Sequence, residues 1–202
     1  RVSPKLSQTS NNIFLNEKLL ARVKSIYDKK EQLNLSTEDA KLLEDLYESF
    51  KANGATLNKD DKEKYRKLSM DLSMLTLQFD QNALKDKNRF ELLITDENEL
   101  SGLPESARDA AAMLAKSKDK DGWLFNLSAP SYIPFMRYSD KRDLREKMYR
   151  EYMSVGNKGD EFDNKDIIKK IVNIRLEIAQ LMGFKNYAEY ALEHTMAKNS
   201  AN

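Results

Sequence analysis

The stretch from Asp163 to Lys198, DNKDIIKKIVNIRLEIAQLMGFKNYAEYALEHTMAK, limits the choice of fold more than any other part of the chain. Asp163 caps a helix, and Asp166 three residues on favours its positive end. Apolar residues recur at Ile167, Ile168, Ile171, Ile174, Ile178 and Leu181, the three-and-four spacing of one buried helical face. Lys169, Lys170, Asn173, Arg175, Glu177 and Gln180 fill the other face. Gly183 followed by Phe184 reads as a left-handed stop with a hydrophobic latch, after which Asn186 starts a second helix carrying Tyr187, Tyr190, Ala191 and Met196. The pair cannot stand alone. Each buried apolar side chain is worth roughly 1.5–3 kcal/mol, whereas fixing the backbone costs roughly 1–2 kcal/mol for every residue ordered. Other helices must pack against it.

Upstream, residues 1–12 are rich in Ser, Pro and Asn and read as an extended lead-in. From Asn16, Leu19, Leu20, Val23, Ile26, Tyr27 and Leu33 predict a helix of about four turns. Ser36-Thr37-Glu38-Asp39 resembles a capping box opening a helix with the stripe Leu42, Leu43, Leu46, Tyr47 and Phe50, ended by Asn53-Gly54. These two helices are expected to form an antiparallel hairpin. Asn58, with Asp60 and Asp61 in the first turn, starts a helix of about 26 residues whose stripe is Tyr65, Leu68, Leu72, Leu75, Phe79 and then Asn82 or Ala83. A coiled coil would need more heptads and regular flanking charges, so one long bundle helix is the expectation.

After Asn88 the pattern changes. Arg89–Thr95 and Gly122–Leu127 are short apolar runs with strand character, and between them Pro104 heads an Ala-rich helix, Glu105 to Lys116. A small β-ribbon leaning on helices is implied. Ala129–Met136 contains two prolines and is not expected to be helical throughout. Its large apolar residues either pack over the core, which is favoured, or line a surface that a partner covers. Ser139 is expected to cap a helix carrying Leu144, Met148, Tyr149 and Tyr152, ending near Gly156. The prediction is a mainly α segment, residues 1–202, a bundle of about seven helices with a two-stranded β element in an insertion at approximately 88–128.

The chemistry-bearing residues are few. With 34 basic and 33 acidic residues the formal net charge is +1, which argues against a nucleic-acid binder relying on a basic field. The absence of cysteine excludes disulfides and thiolate metal sites, and no run is long and apolar enough for a membrane span. The one histidine, His194, cannot make a two-histidine metal site and is read as a surface or packing residue. No phosphate-binding glycine loop or serine elbow is present. Asp60-Asp61 and Glu38-Asp39 sit at helix starts, where the macrodipole accounts for them. Arg142 and Arg145, with Glu146 and Lys147, suit either a peptide-carboxylate clamp or ordinary pairs on an exposed helix, the second favoured. Tyr132, Phe135 and Tyr138 suit either a groove lining or core packing, again the second. No residue is assigned a catalytic, cofactor-binding or metal-binding role.

The wording R-x-E-x-A-x-L-M-G-F-K-N-Y-A-E-Y-x-L-x-x-x-M-A-K, Arg175 to Lys198, resembles the thimet oligopeptidase and peptidyl-dipeptidase family of zinc metallopeptidases, as do four other stretches. They are Ser3–Ser7, Ile13–Val23, the turn Gly102-Leu103-Pro104 and the helix Arg142–Lys147. The resemblance implies an internal segment, truncated at both ends, upstream of the catalytic H-E-x-x-H and part of a larger helical metallopeptidase fold. It implies that zinc belongs to the full-length parent and not to this segment. The parent would hydrolyse short peptides in a deep channel that this segment helps to wall, its partners being peptide substrates and the missing catalytic half of the same chain, with neither nucleic acid nor membrane. The segment alone is expected to be inactive. A cytoplasmic location is expected and a periplasmic one stays open. The alternative is a stand-alone helical interaction module.

Overall fold

The computed structural model describes residues 2–202. It is mainly α, with nine α-helices and one two-stranded antiparallel sheet among the described residues. The chain divides into two compact units. The first comprises the residues up to Leu77 together with Ile167–Asn202, and the second comprises Gln78–Asp166.

In the first unit, α1 (Ser3–Phe14), α2 (Glu17–Tyr27) and α3 (Thr37–Ala52) precede the long α4 (Lys59–Arg89). The Asn16 side chain accepts hydrogen bonds from the Lys18 and Leu19 amides at 3.0 and 3.1 Å, and the Ser36 hydroxyl accepts one from the Asp39 amide at 3.1 Å. Both predicted caps are therefore real. The helix after Asn16 is shorter than expected, however. Asp28 to Gln32 offers no apolar side chain, so α2 stops at Tyr27 and only a 3₁₀ turn, Lys30–Gln32, follows.

The predicted extended lead-in is instead helix α1. Pro4 falls in its first turn, where a missing N–H costs nothing. The contacts that hold α1 are polar: the Ser3 and Ser73 hydroxyls lie 3.1 Å apart, Asn11 donates to Ser69 at 2.7 Å, and Arg66 donates to Asn12 at 3.2 Å. Residue numbers rising on α1 match numbers falling on α4, so the two run antiparallel. A helix anchored this way shows no apolar stripe to read.

Two apolar clusters form this unit's core. Val23, Phe50 and Ala55 gather Phe14, Leu20, Leu43 and Tyr47, with the Phe14 and Phe50 rings edge to face at 5.3 Å. Leu15, Tyr65, Leu68 and Ile178 gather Leu72, Ile174, Leu181 and Tyr190. The last of these come from α8 (Lys165–Leu181) and α9 (Tyr187–Leu192). Between those helices Gly183 takes φ +87°. The Phe184 amide then returns to the Ala179 carbonyl at 2.9 Å and the Gly183 amide to the Gln180 carbonyl at 3.0 Å. That double closure is the left-handed stop read from the sequence. Asn186 caps α9, accepting from the Glu189 amide at 2.9 Å, and the Tyr190 hydroxyl donates to the Ala52 carbonyl at 2.7 Å. Helix α9 ends at Leu192, so Met196 lies outside it and is 98% exposed. Ile168, assigned to the buried stripe of α8, is exposed too.

In the second unit, β1 (Leu92–Ile94) pairs antiparallel with β2 (Trp123–Phe125), Leu92 opposite Phe125 and Ile94 opposite Trp123. Helix α5 (Glu105–Lys116) lies between them in sequence. Both strands fall inside the predicted runs but are shorter. Lys118 and Lys120 both reach the Glu91 carboxylate just before β1. Residues 129–138 are helical throughout, contrary to expectation, as α6 (Ala129–Tyr138). Pro130 sits in the first turn, so of the two prolines only Pro134 sacrifices an intrahelical hydrogen bond, the one that would have ended on the Pro130 carbonyl. That loss is offset by burial. Phe135 has no exposed surface and meets Phe125 edge to face at 4.8 Å, and Tyr132 stacks on Tyr152 at 4.3 Å. Ser139 ends α6 and does not cap α7 (Arg142–Met153); its hydroxyl accepts from the Lys141 amide at 3.3 Å. The core here is one cluster, including Leu92, Ile94, Leu100, Leu127, Phe135 and Met148.

Candidate functional site

The residues that the sequence marks for possible chemistry do not converge. In the first unit, His194 lies just beyond α9, half-exposed, with Nε2 3.3 Å from the Glu193 carboxylate. It shares a surface hollow with Lys41, Glu44, Asp45 and Glu48. Asp39 and Asp61 serve the caps of α3 and α4: Asp39 accepts from the Ser36 hydroxyl and Asp61 from the Asn58 amide group, each at 2.7 Å.

In the second unit, α6 and α7 form a surface depression lined by Met136, Arg142, Arg145, Glu146, Tyr149 and Arg150. The cations there are differently engaged. Arg145 donates to the Ser139 carbonyl, which fastens it across the corner between the two helices. Arg150 is paired with Glu146 one turn back at 2.7 Å. Arg142 makes no ion pair among the described residues and is exposed. One guanidinium fork can hold a carboxylate bidentately, and of the two arginines considered for a clamp only Arg142 is uncommitted. Of the three aromatic residues, Phe135 is core, Tyr132 is half-buried with its hydroxyl pushed up by burial, and Tyr138 is 46% exposed.

The charged centre that sequence reasoning missed is Asp86, near the end of α4, with no exposed surface. Its carboxylate accepts from the Gly156 amide at 2.7 Å, from Arg89 Nε at 2.7 Å and from Lys158 at 3.2 Å. Lys158 also reaches Glu151 at 2.7 Å, and Arg89 also reaches Asp160. Burial pulls the Lys158 ammonium down, but Glu151 and Asp86 outweigh it and hold it above its ordinary value. The Arg89 guanidinium holds the Asp160 carboxyl below the usual range. Beside this centre Asn82 donates to Asn164 at 3.1 Å, and Asn164 donates to the Phe79 carbonyl at 3.1 Å.

The signal was present: 65, 68, 72, 75, 79, 82 and 86 continue one three-and-four stripe, so a stripe that ends in Asn and Asp requires buried partners for them. Chemically, Asp86 is a fastener. Its oxygens are occupied by three donors and it has no path to solvent, so it cannot take a proton from a substrate. Among the described residues no group of three or more His, Cys, Asp or Glu could hold a metal ion, and no helix is long and apolar enough to cross a membrane.

The pattern of Peptidase family M3 matches residues 135–202. Oligopeptidase A of Salmonella typhimurium is 36% identical over 200 residues, covering 97% of this chain and 29% of that protein. A probable cytosolic oligopeptidase A of Arabidopsis thaliana is 38% identical over 181 residues, 86% of this chain and 26% of that protein. Dipeptidyl carboxypeptidase of Escherichia coli is 33% identical over 197 residues, 97% of this chain and 29% of that protein. The family these matches return is the peptidase family that the sequence resembles. The chain spans under a third of the length of the curated relatives it matches.

Proposed function

We propose that these 202 residues are a noncatalytic helical portion of a zinc-dependent oligopeptidase or peptidyl-dipeptidase that hydrolyses short peptides, and that they form part of the wall of its substrate channel. One observation carries this reading. Identity of 33–36% runs along 97% of the chain in two relatives, described as an oligopeptidase and a dipeptidyl carboxypeptidase, yet the match takes up only 29% of each. The donor set for zinc is not found in these residues: there is one histidine, His194, and no cysteine. Zinc would therefore be held by residues elsewhere in the parent, where it would polarise the scissile carbonyl and activate water. The helices described here have a different task, which is to hold a rigid surface. The Asp86 centre serves that task by tying the loop between α7 and α8 to the end of α4.

The substrate would be a short peptide, with neither nucleic acid nor membrane as partner, and the location cytoplasmic, in keeping with the relative described as cytosolic. The test is peptide hydrolysis by the full-length product of the gene, with and without a zinc chelator, run beside the 202-residue chain. Chelator-sensitive cleavage by the former and none by the latter is expected. A full-length product that neither binds zinc nor cleaves peptides would replace this reading with a stand-alone helical interaction module.

A further inference from the structure

Helix α8 carries more apolar surface than its own unit covers. Ile167, Ile174, Ile178 and Leu181 are at least half-buried, as their stripe predicts. A second row, Ile168, Val172 and Leu176, runs beside it at intervals of four residues and is 46%, 55% and 38% exposed. At 3.6 residues per turn the two rows together sweep an arc of about 220°. A helix lying on the surface of a globular body needs an apolar stripe of only about 100°, and one apolar over most of its circumference is covered on both sides. Lys169, Lys170, Asn173, Glu177 and Gln180 occupy the remaining arc and are exposed, while Arg175 is the one charged residue that falls between the two rows, its guanidinium lying over the Tyr187 ring at 5.2 Å.

Residues at i, i+4 and i+8 form a ridge of the kind that seats in the groove of another helix. Three side chains are far too little for a free-standing dimer, which needs about 800 Å² from each partner. An element tethered in the same polypeptide acts at an effective concentration of about millimolar, so a small apolar ridge suffices to hold it. The relatives supply the tether, since each is more than three times as long as the stretch it shares with this chain. We infer that the Ile168–Val172–Leu176 ridge is the docking face for an apolar helix from the remainder of the parent polypeptide. This inference rests on reading the chain as a portion of a longer peptidase.

The described sequence has no cysteine, so a single thiol introduced into it reports its own surroundings. V172C and K170C are made in the full-length gene product, and maleimide labelling of each is followed by mass spectrometry of the peptide that contains it. The wild-type product is assayed for chelator-sensitive peptide hydrolysis in parallel. V172C is expected to label about tenfold more slowly than in urea-unfolded protein after allowance for intrinsic reactivity, and K170C within about twofold. Equal labelling of the two, or equal protection of both, overturns the docking face. Protection of V172C that disappears on dilution also overturns it, because the cover is then a second copy. Hydrolysis with V172C unprotected sinks the docking alone. No hydrolysis with V172C protected at all dilutions sinks the peptidase reading and leaves the docked helix standing.

Discussion

The two units solve the problem of making a core in opposite ways. The second draws a ribbon, three helices and the end of α4 onto one cluster of ten buried residues, five of them fully enclosed or within 1% of it: Ile94, Leu100, Leu127, Phe135 and Met148. The first spreads a longer stretch of chain over two clusters with four and three buried residues. It leaves Leu6, Ile13, Ile26, Leu42, Leu46 and the α8 ridge exposed. Neither unit hides all of its apolar surface, since Leu84, Met113, Ile133 and Met153 of the second are exposed as well, but the second concentrates its enclosed side chains in one cluster and the first divides them between two. Helix count says nothing of this difference; the distribution of enclosed side chains does.

The largest effect is expected from Phe135→Ala. Removing a fully enclosed ring that other core residues surround is expected to cost about 4 kcal/mol in equilibrium denaturation, and a loss below about 1 kcal/mol would mean the cluster is not a true core. Asp86→Ala comes next, at about 3 kcal/mol, because it strands the Gly156 amide while Lys158 and Arg89 keep Glu151 and Asp160. The same technique reads it. Two glycine substitutions sharpen the contrast. Gly102 (φ +82°) and Gly183 (φ +87°) share the left-handed conformation, but a Cβ on Gly102 would lie 2.1 Å from the Tyr138 carbonyl oxygen, and one on Gly183 would meet nothing within 4 Å. Gly183→Ala should cost about 1 kcal/mol and Gly102→Ala about 3 kcal/mol, and equal thermal shifts would contradict the packing.

Acid should act on the second unit through Asp160, whose carboxyl Arg89 holds low, together with Glu91 and Asp163, which are lowered as well. A carboxylate with a depressed folded value contributes stability above its unfolded value, about 3.9, and loses it as the pH falls through the folded one. Stability should thus be level from pH 7 to about 5 and decline below about 4, and the decline should be smaller in Asp160→Asn. Urea midpoints at pH 7 and pH 3 decide this, and an unchanged decline in the variant would exonerate the pair. The smallest effect is expected from Val172→Asp in the 202-residue chain, within about 0.5 kcal/mol, since it alters an exposed position. A melt showing several times that loss would place Val172 in the unit's own core.

Legibility in the sequence followed the physics of each contact. Helices α3 and α8 were readable because their stops and caps are local: Ser36 bonds three residues on, and Gly183-Phe184 closes on residues 179 and 180. Helix α1 was not, because its long-range contacts are made by Ser3, Asn11 and Asn12, residue types whose local propensities point elsewhere. Helix α6 is not legible from its two prolines as a count, because Pro130 occupies the first turn and only Pro134 interrupts the helix. The candidate residues were legible as types, yet only the fold shows that Arg145 and Arg150 are already engaged and Arg142 is not. The burial of Asp86 was legible in the stripe of α4, but its partners Gly156 and Lys158 were not, because they lie about seventy positions away, a distance that no periodicity spans.

The turn after α8 and the caps of α2 and α3 close within a few residues, and such local structure forms within about a microsecond. Ile94 and Trp123 meet only after the whole of α5 has been traversed, a closure whose entropic cost grows with the logarithm of the loop. The ribbon is therefore expected to form after α5 has shortened the span, and Trp123, the only tryptophan in the chain, sits in β2 where it would report that step. Its fluorescence would serve as a clock for the second unit's assembly, running behind the helical signal of the chain as a whole.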